Sequence, residues 1–388
     1  MASSSAGAAA ERSASVVHLA FNPYANRFIA ATATGVHVFS CDPFRRVFCE
    51  DVEVYPDSTT SWKVAIAEML NEAFVAVVFR GAKPNGGGFM DRIFFWSVLG
   101  GRMYGMEKRL PFDVVSGFRL VGEYLLVAGD EKTVLYEMAH HAAVPTKVKV
   151  VDTAHNPLGL CAVAQPDGLA RSVLVSPQKN KGMLQVHRLG EHPIYLRAHY
   201  STVVSFALSH DGRLLATAGS KGTLVRIFST NDGKLLQEVR RGTDRADIHC
   251  IAFSPDSKWL AVSSDKCTVH VFRVNVDSTS SGSAPKNGSS SGHGSFQEAA
   301  APSPAANASQ GSYLSFLKGL LPGYFRSERS WAQVYLREDV KYLVAFGRQR
   351  NTVLVIGMDG SFYRCQFDPE IGGEMKQLEY RNFMDIKG

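Results

Sequence analysis

The chain has no run of the roughly eighteen consecutive apolar residues that a membrane-spanning helix requires, so no bilayer-crossing helix is expected. Met1 to Ala10 carries neither a charged start nor a long apolar stretch, which argues against a secretory signal. Arg12 is the only basic residue among the first fifteen, too little for an organelle transit peptide. The six cysteines, Cys41, Cys49, Cys161, Cys250, Cys267 and Cys365, form no C-x-x-C pair and have no histidines at zinc spacing. They read as buried thiols of a reducing compartment, and no metal site is expected. Asn287 and Asn307 each begin an N-x-Ser sequon, which without a secretory signal reads as chance in a polar segment. No G-x-S-x-G, H-E-x-x-H or P-loop motif occurs, and the paired carboxylates lack any motif context. The sequence therefore points away from an enzyme and from a cofactor. Helical periodicity is scarce as well.

What remains is a repeat. The chain has 388 residues, 45% of them hydrophobic, enough for a sizeable core. The stretch from Phe206 to Thr223 resembles the stretch from Ile251 to Thr268. Ser209 aligns with Ser254, Asp211 with Asp256, Leu215 with Leu260 and Lys221 with Lys266, always at an offset of 45 residues. A third copy opens the chain, with Leu19 to Pro23, Phe28 to Ala31 and Val36 to Phe39. Each copy alternates short β-branched and aromatic runs with Asp, Gly, Pro, Asn and Ser turns, the pattern of strands. A period near 45 with such strands indicates a β-propeller with one four-stranded sheet per blade. The Trp-Asp dipeptide of ordinary WD repeats is absent, so these are degenerate WD-type blades.

Further blades are expected at 61–98, 112–138, 148–189 and 340–367, which makes seven. The ring is expected to occupy 15–388 after a flexible start at 1–14. The N-terminal strand is expected to complete a sheet with C-terminal ones, which would leave no exposed edge.

One segment breaks the rhythm. From Asp277 to Gly311 the chain is Ser, Gly, Ala, Pro and Asn with almost no large apolar residue, and reads as a disordered insertion. An amphipathic cluster follows within 312–326: Tyr313, Leu314, Phe316, Leu317, Leu320, Leu321, Tyr324 and Phe325, with Arg326 and Arg329 just after. Either this cluster packs on the propeller, or it enters a membrane interface, where aromatic and Leu residues beside basic ones suit the environment. Burying one Leu or Phe is worth about 1.5–3 kcal/mol, so a few inserted side chains rival polar contacts. Gly319 and Pro322 limit any helix here to short lengths. Trp331 to Leu336 reads as the fourth strand of the blade begun at Ile248, so 277–330 is an insertion within the sixth blade.

Between the two clearest repeats stands Val239-Arg240-Arg241-Gly242. Consecutive side chains at a strand end point to opposite sides, so this pair can serve two anion pockets. Arginine carries a permanent charge and a planar fork of donors suited to phosphate. Thr217, Ser220, Lys221, Gly222, Thr223 and Arg226 precede the pair, and Thr243, Arg245, Ser264, Lys266, Thr268 and His270 follow it. Hydroxyls and glycine amides can donate to phosphate oxygens. The other reading is a solvated basic turn. His199 and His270 read equally as packed histidines or as pocket residues whose protonated form a phosphate would favour.

These residues resemble the PROPPIN family, seven-bladed propellers that bind polyphosphoinositides and act in autophagy. The resemblance rests on the Arg-Arg-Gly motif set between two repeats, on Cys41 to Phe44, Asn156 to Cys161, Ala198-His199, Lys221 to Arg226, Ser263 to Lys266 and Thr268 to His270, and on Ser315 to Pro322, which looks like the plant members' loop. It implies a first headgroup site formed by Thr217, Gly222, Thr223, Arg226 and Arg240, bordered by His199. It implies a second formed by Arg241, Ser264, Thr268 and His270, with Gly242 shaping the turn between them. It further implies phosphatidylinositol 3-phosphate and phosphatidylinositol 3,5-bisphosphate as ligands, and a role as a membrane-recruitment scaffold in autophagosome formation. A lipid-transfer protein is implied as partner, with no nucleic acid. The place of action would be the cytoplasm and, peripherally, the phagophore, endosome or vacuole membrane. The chain departs from the pattern at Val239, where Phe or Leu is usual, at Gly219, where Ser is common, and at Cys267, where Gly is usual. If position 267 needs a positive φ, a side chain there is unfavourable. A protein-interaction scaffold without working lipid sites is the alternative. An enzyme built on the propeller channel is a more distant one.

Overall fold

The computed structural model describes residues 15–51, 61–69, 74–83, 85–98, 102–105, 110, 112–138, 145–166, 171–276 and 328–386. These form seven antiparallel four-stranded units and, among the described residues, no helix. The fold is the seven-bladed β-propeller expected from the repeat. The second strands of the blades are buried along most of their length, as in Arg27–Thr32, Leu125 to Ala128 within Tyr124–Ala128, and Trp259–Ser264. They lie between two neighbouring blades, which explains continuous apolar runs in place of alternation. Outer strands such as Thr146–Asp152 are mostly exposed and carry lysines.

The core lies between blades. One cluster joins the first and second blades through Ile29, Val38, Val77 and Phe79. Another joins the fourth and fifth through Val175, Leu196, Leu215 and Phe228. Each blade is therefore stable only against its neighbours.

The repeat signature has a local cause. Ser209 Oγ donates to Asp211 Oδ1 (2.6 Å) and accepts from the Leu214 amide (2.9 Å), and Asp211 Oδ1 also accepts from the Arg213 amide (3.1 Å). One repeat later Ser254, Asp256, Trp259 and Lys258 make the same contacts. In the first blade Asn22 does this alone, its Oδ1 accepting from the amides of Asn26 and Arg27. The Ser-x-Asp pair is thus a turn lock between strands one and two.

Three expectations are corrected. Val16–Phe21 pairs within its own blade, against Arg27–Thr32, and does not join the C-terminal sheet. The last blade is completed by Lys376–Asn382, so it extends well past 367. The ring closes instead by side-chain packing: Phe28 stacks on Phe362 at 5.9 Å between ring centroids, and Arg364 donates to the Cys41 carbonyl (2.6 Å) and pairs with Asp42 (3.1 Å). Thr146–Asp152 belongs to the third blade, and the fourth runs from Ala162–Ala164 to Ile194–Arg197, not from 148.

Two outer edges carry an additional short strand. Glu328–Arg329 runs parallel to Leu235–Arg240 of the fifth blade, and Gly373–Glu374 runs parallel to Ala332–Tyr335 of the sixth. In each case the chain touches the preceding blade on its way into the next fourth strand, covering an edge that would otherwise be open. Ala332–Tyr335 itself pairs with Thr268–Arg273, as expected for the fourth strand of the sixth blade. The residues between these two partners include 277–327, which lie outside the described residues.

Candidate anion-binding site on the fifth and sixth blades

Strand register assembles the first group. In the fifth blade Thr217 stands opposite Arg226, and Arg226 opposite Glu238. Partners across a ladder share a face, and Arg240 lies two residues beyond Glu238, so all four side chains leave the same face. Arg226 Nε donates to Glu238 Oε2 (2.9 Å), and its Nη1 to the Ala198 carbonyl (2.8 Å). His199 Nε2 sits 3.0 Å from Thr217 Oγ1, both residues being buried. Burial, reinforced by the Arg226 charge, lowers the His199 pKa to about 4, so the ring is neutral near pH 7. Its position also accounts for Gly219. A Cβ there would lie 2.5 Å from Ser201 Oγ and 2.9 Å from His199 Cγ, so the absent side chain makes room for the imidazole.

The turn after Gly219 has a left-handed residue at Gly222, with φ +63°. A Cβ at 222 would lie 1.8 Å from the Ala246 carbonyl oxygen, while the Ala246 amide donates to the Lys221 carbonyl (3.2 Å). Both the dihedral and the close approach of backbone demand glycine. Thr223 follows, half-buried, and its carbonyl accepts from the Arg241 amide (2.9 Å).

Arg241 lies just beyond the strand that ends at Arg240. It is buried, with Nε donating to the Gly222 carbonyl (3.1 Å) and Nη2 to the Asp244 carbonyl. Burial lowers its pKa, with Asp265 and Asp244 opposing that shift. Part of its donor fork therefore ties the turn of the fifth blade to the link leading into the sixth. Nothing lies within 4 Å of where a Gly242 Cβ would stand, so that glycine is not required by crowding.

The second group is Ser264, Thr268 and His270, all buried. Ser264 Oγ accepts from the Lys266 amide (3.4 Å), and Thr268 Oγ1 donates to the Lys266 carbonyl (2.9 Å). Burial, then the Arg241 charge, lowers the His270 pKa to about 4, and its Nδ1 is buried with no hydrogen-bond partner. Val262 stands opposite His270 as Thr217 stands opposite Arg226. Where the fifth blade has a Thr–Arg pair, the sixth has Val–His. Cys267 takes the place of Gly222 and is also left-handed, with φ +57°.

The structure thus gathers His199, Thr217, Arg226 and Arg240 about one face of the fifth blade. It gathers Arg241, Ser264, Thr268 and His270 at the start of the sixth. Glu238, the counter-ion of Arg226, was not singled out from the sequence, although its spacing of two from Arg240 is the available signal. The apolar residues Tyr313, Leu314, Phe316, Leu317, Leu320, Leu321, Tyr324 and Phe325 lie outside the described residues.

A family model described as PROPPIN matches residues 19–309. The chain belongs to the PROPPIN family. Over 376 residues this PROPPIN is 34% identical to Autophagy-related protein 18e of Arabidopsis thaliana, covering 96% of this chain and 89% of that protein. It is 26% identical over 376 residues to Autophagy-related protein 18 of Dictyostelium discoideum, covering 93% and 91% of the two. Among solved structures, Hsv2 from Kluyveromyces lactis matches with a TM-score of 0.68 at 19% identity, over 95% of this chain and 99% of that one. KlAtg21, solved with the coiled coil of AgAtg16, matches with a TM-score of 0.67 at 19% identity over the same shares. At that identity the two structures speak for the propeller fold alone. Among the described residues, no helix of this PROPPIN is long and apolar enough to cross a membrane.

Proposed function

We propose that this PROPPIN binds phosphoinositides at a membrane surface and serves as a recruitment scaffold in autophagosome formation. The observation that carries this reading is the Arg240–Arg241 pair. One arginine belongs to a face already holding Arg226 and Thr217, and the other turns into the junction that leads to Ser264, Thr268 and His270. Guanidinium forks and hydroxyls at such spacing suit phosphomonoesters on an inositol ring. Phosphatidylinositol 3-phosphate and phosphatidylinositol 3,5-bisphosphate are the ligands this reading names. Two modest sites on one rim act by avidity, since the first headgroup bound raises the effective concentration of the second. Insertion of the apolar residues of 313–325 adds to the same avidity. The autophagy-related names of the Arabidopsis and Dictyostelium relatives support the cellular role. A lipid-transfer protein is the partner proposed for another face.

Flotation with phosphoinositide-containing vesicles tests the lipid reading. The wild-type protein is expected to float, and the Arg240→Ala, Arg241→Ala double variant to stay at the bottom of the gradient. Equal flotation of both would sink the mechanism. The second reading, a protein-interaction scaffold without lipid sites, draws on Arg241, whose donors already engage two backbone carbonyls. It predicts that neither protein floats. The structure of KlAtg21 with a coiled coil provides a protein-binding precedent on this fold.

A further inference from the structure

The strands of each blade are antiparallel, so the turn after the second strand and the exit from the fourth lie on one side of the ring. At three blades the positive charge on that side meets a carboxylate. Lys83 of the second-blade turn pairs with Asp113 at 2.6 Å, and Lys266 of the sixth-blade turn with Asp265 at 3.4 Å. At the third blade His155 stands against Asp130. The fourth and fifth blades differ. Residues 177–183, 197–203 and 219–223 hold Lys179, Lys181, Arg197 and Lys221 but no Asp or Glu. All four of these side chains are exposed.

Backbone hydrogen bonds stitch the three segments into one strip. The Gly182 carbonyl accepts from the amides of Ala198 (2.9 Å) and His199 (3.1 Å), and the Thr202 carbonyl accepts from the Ser220 amide (2.8 Å). A Cβ at Gly182, where φ is +74°, would lie 1.9 Å from the His199 carbonyl oxygen, so turn and linker touch directly. In the middle stands Tyr200, 85% exposed, more than any other large apolar side chain among the described residues. It follows His199, whose imidazole reaches Thr217 of the first anion group.

A fixed strip of like charge repels itself, a cost that an anionic partner removes. A tyrosine ring has an apolar body and a polar tip, the combination that suits a membrane–water interface. At its exposure the Tyr200 ring projects from the surface and lines no groove. That shape fits a planar headgroup layer better than a peptide, which docks in a groove or along a sheet edge.

We propose that this strip is a bilayer-contacting surface. Lys179, Lys181, Arg197 and Lys221 face anionic lipid, and Tyr200 enters the headgroup layer. The inference rests on the membrane reading above and adds a contact that needs only negative charge, not a particular headgroup.

The test uses the full-length protein with phosphatidylcholine vesicles doped with phosphatidylinositol 3-phosphate, with and without phosphatidylserine, and with soluble inositol 1,3-bisphosphate. Phosphatidylserine is expected to tighten wild-type binding. Lys179→Ser with Lys181→Ser is expected to weaken binding to the phosphatidylserine vesicles by about fivefold for each lysine. That loss should shrink as salt is added. Tyr200→Ala is expected to weaken binding to both kinds of vesicle about tenfold, and Tyr200→Trp to retain wild-type binding. All three proteins should keep the wild-type affinity for the soluble headgroup and the wild-type melting temperature. Arg348→Ala, which removes an exposed charge on the opposite side of the ring, leaves binding unchanged.

If the lysine and Tyr200→Ala variants bind the phosphatidylserine vesicles as tightly as the wild type, the proposal fails while the phosphoinositide reading stands. If they lose affinity for a poly-glutamate peptide instead, the strip belongs to an acidic protein partner. Equal losses for the soluble headgroup would also overturn the proposal, by assigning these residues to the headgroup pocket. A wild type that responds to phosphatidylserine and not to phosphatidylinositol 3-phosphate removes the phosphoinositide reading and leaves this surface in place. A wild type that binds no vesicle overturns both.

Discussion

The turn into the third strand is left-handed in both the fifth and the sixth blade, at Gly222 (φ +63°) and at Cys267 (φ +57°). In the fifth blade the Ala246 carbonyl closes over that position and leaves no room for a Cβ. In the sixth, a half-buried cysteine occupies it, its Sγ 3.5 Å from the Asp265 carbonyl and its own carbonyl accepting from the Leu336 amide. The repeat thus dictates the backbone, and the neighbouring blade dictates whether a side chain is tolerated there. The same contrast extends to the pockets. One presents Arg226, Arg240 and a Thr217–His199 pair. The other presents Arg241, committed to two carbonyls, beside a His270 whose Nδ1 lacks a partner. The fifth-blade face holds two arginines and the carboxylate Glu238, the sixth-blade group one arginine.

Substitutions sharpen this contrast. Gly222→Ala combines a strained dihedral with a backbone clash and is expected to cost more than about 3 kcal/mol, read as a fall in the denaturation midpoint. A loss below about 1 kcal/mol would show that the fifth-blade turn is as permissive as the sixth-blade one.

Acid probes the two histidines. In the folded protein both are lowered from 6.5 to about 4 by burial. The unfolded chain takes up protons below about pH 6.5 that the folded chain refuses, so stability is full above that pH and falls as the pH drops towards 4. Each histidine contributes up to about 3 kcal/mol to that loss. His18 and His187, also lowered to about 4, add to the total elsewhere in the ring. Unfolding midpoints measured from pH 7 to 4 should flatten in His199→Gln and in His270→Gln by similar amounts. A flattening in only one would mean that the pockets differ in hydration as well as in charge.

The smallest effect belongs to Cys267→Gly. It relieves left-handed strain but increases the freedom of the unfolded chain, for a net gain of about 0.5 kcal/mol. Measurable destabilisation would mean that the Cys267 side chain makes packing contacts worth more than the strain it imposes.

Much of this arrangement was legible along the chain. The 45-residue offset placed the fifth and sixth blades because Ser209–Asp211 and Ser254–Asp256 lock equivalent turns. Trp331 to Leu336 was recognisable as a fourth strand across a long insertion, because the blade begun at Ile248 otherwise lacks one. Glu328–Arg329 was not, since two residues carry no pattern and their partner lies on another blade. The boundary between the third and fourth blades was misread at 148 because Val148 and Val150, though β-branched like core residues, lie exposed on an outer strand. Glu238 escaped notice because a carboxylate in a basic region signals a counter-ion only once the register sets it opposite Arg226.

By itself the sequence determined the blade, its turns and the adjacency of Arg240 and Arg241, because these depend on local alternation and on short-range hydrogen bonds. The tertiary structure alone decided how the ring closes, which glycine is indispensable and how the short strand Glu328–Arg329 covers the edge of the fifth blade. Each of those depends on contacts between blades far apart in the chain, where register and close approach of backbones, not residue type, set the outcome.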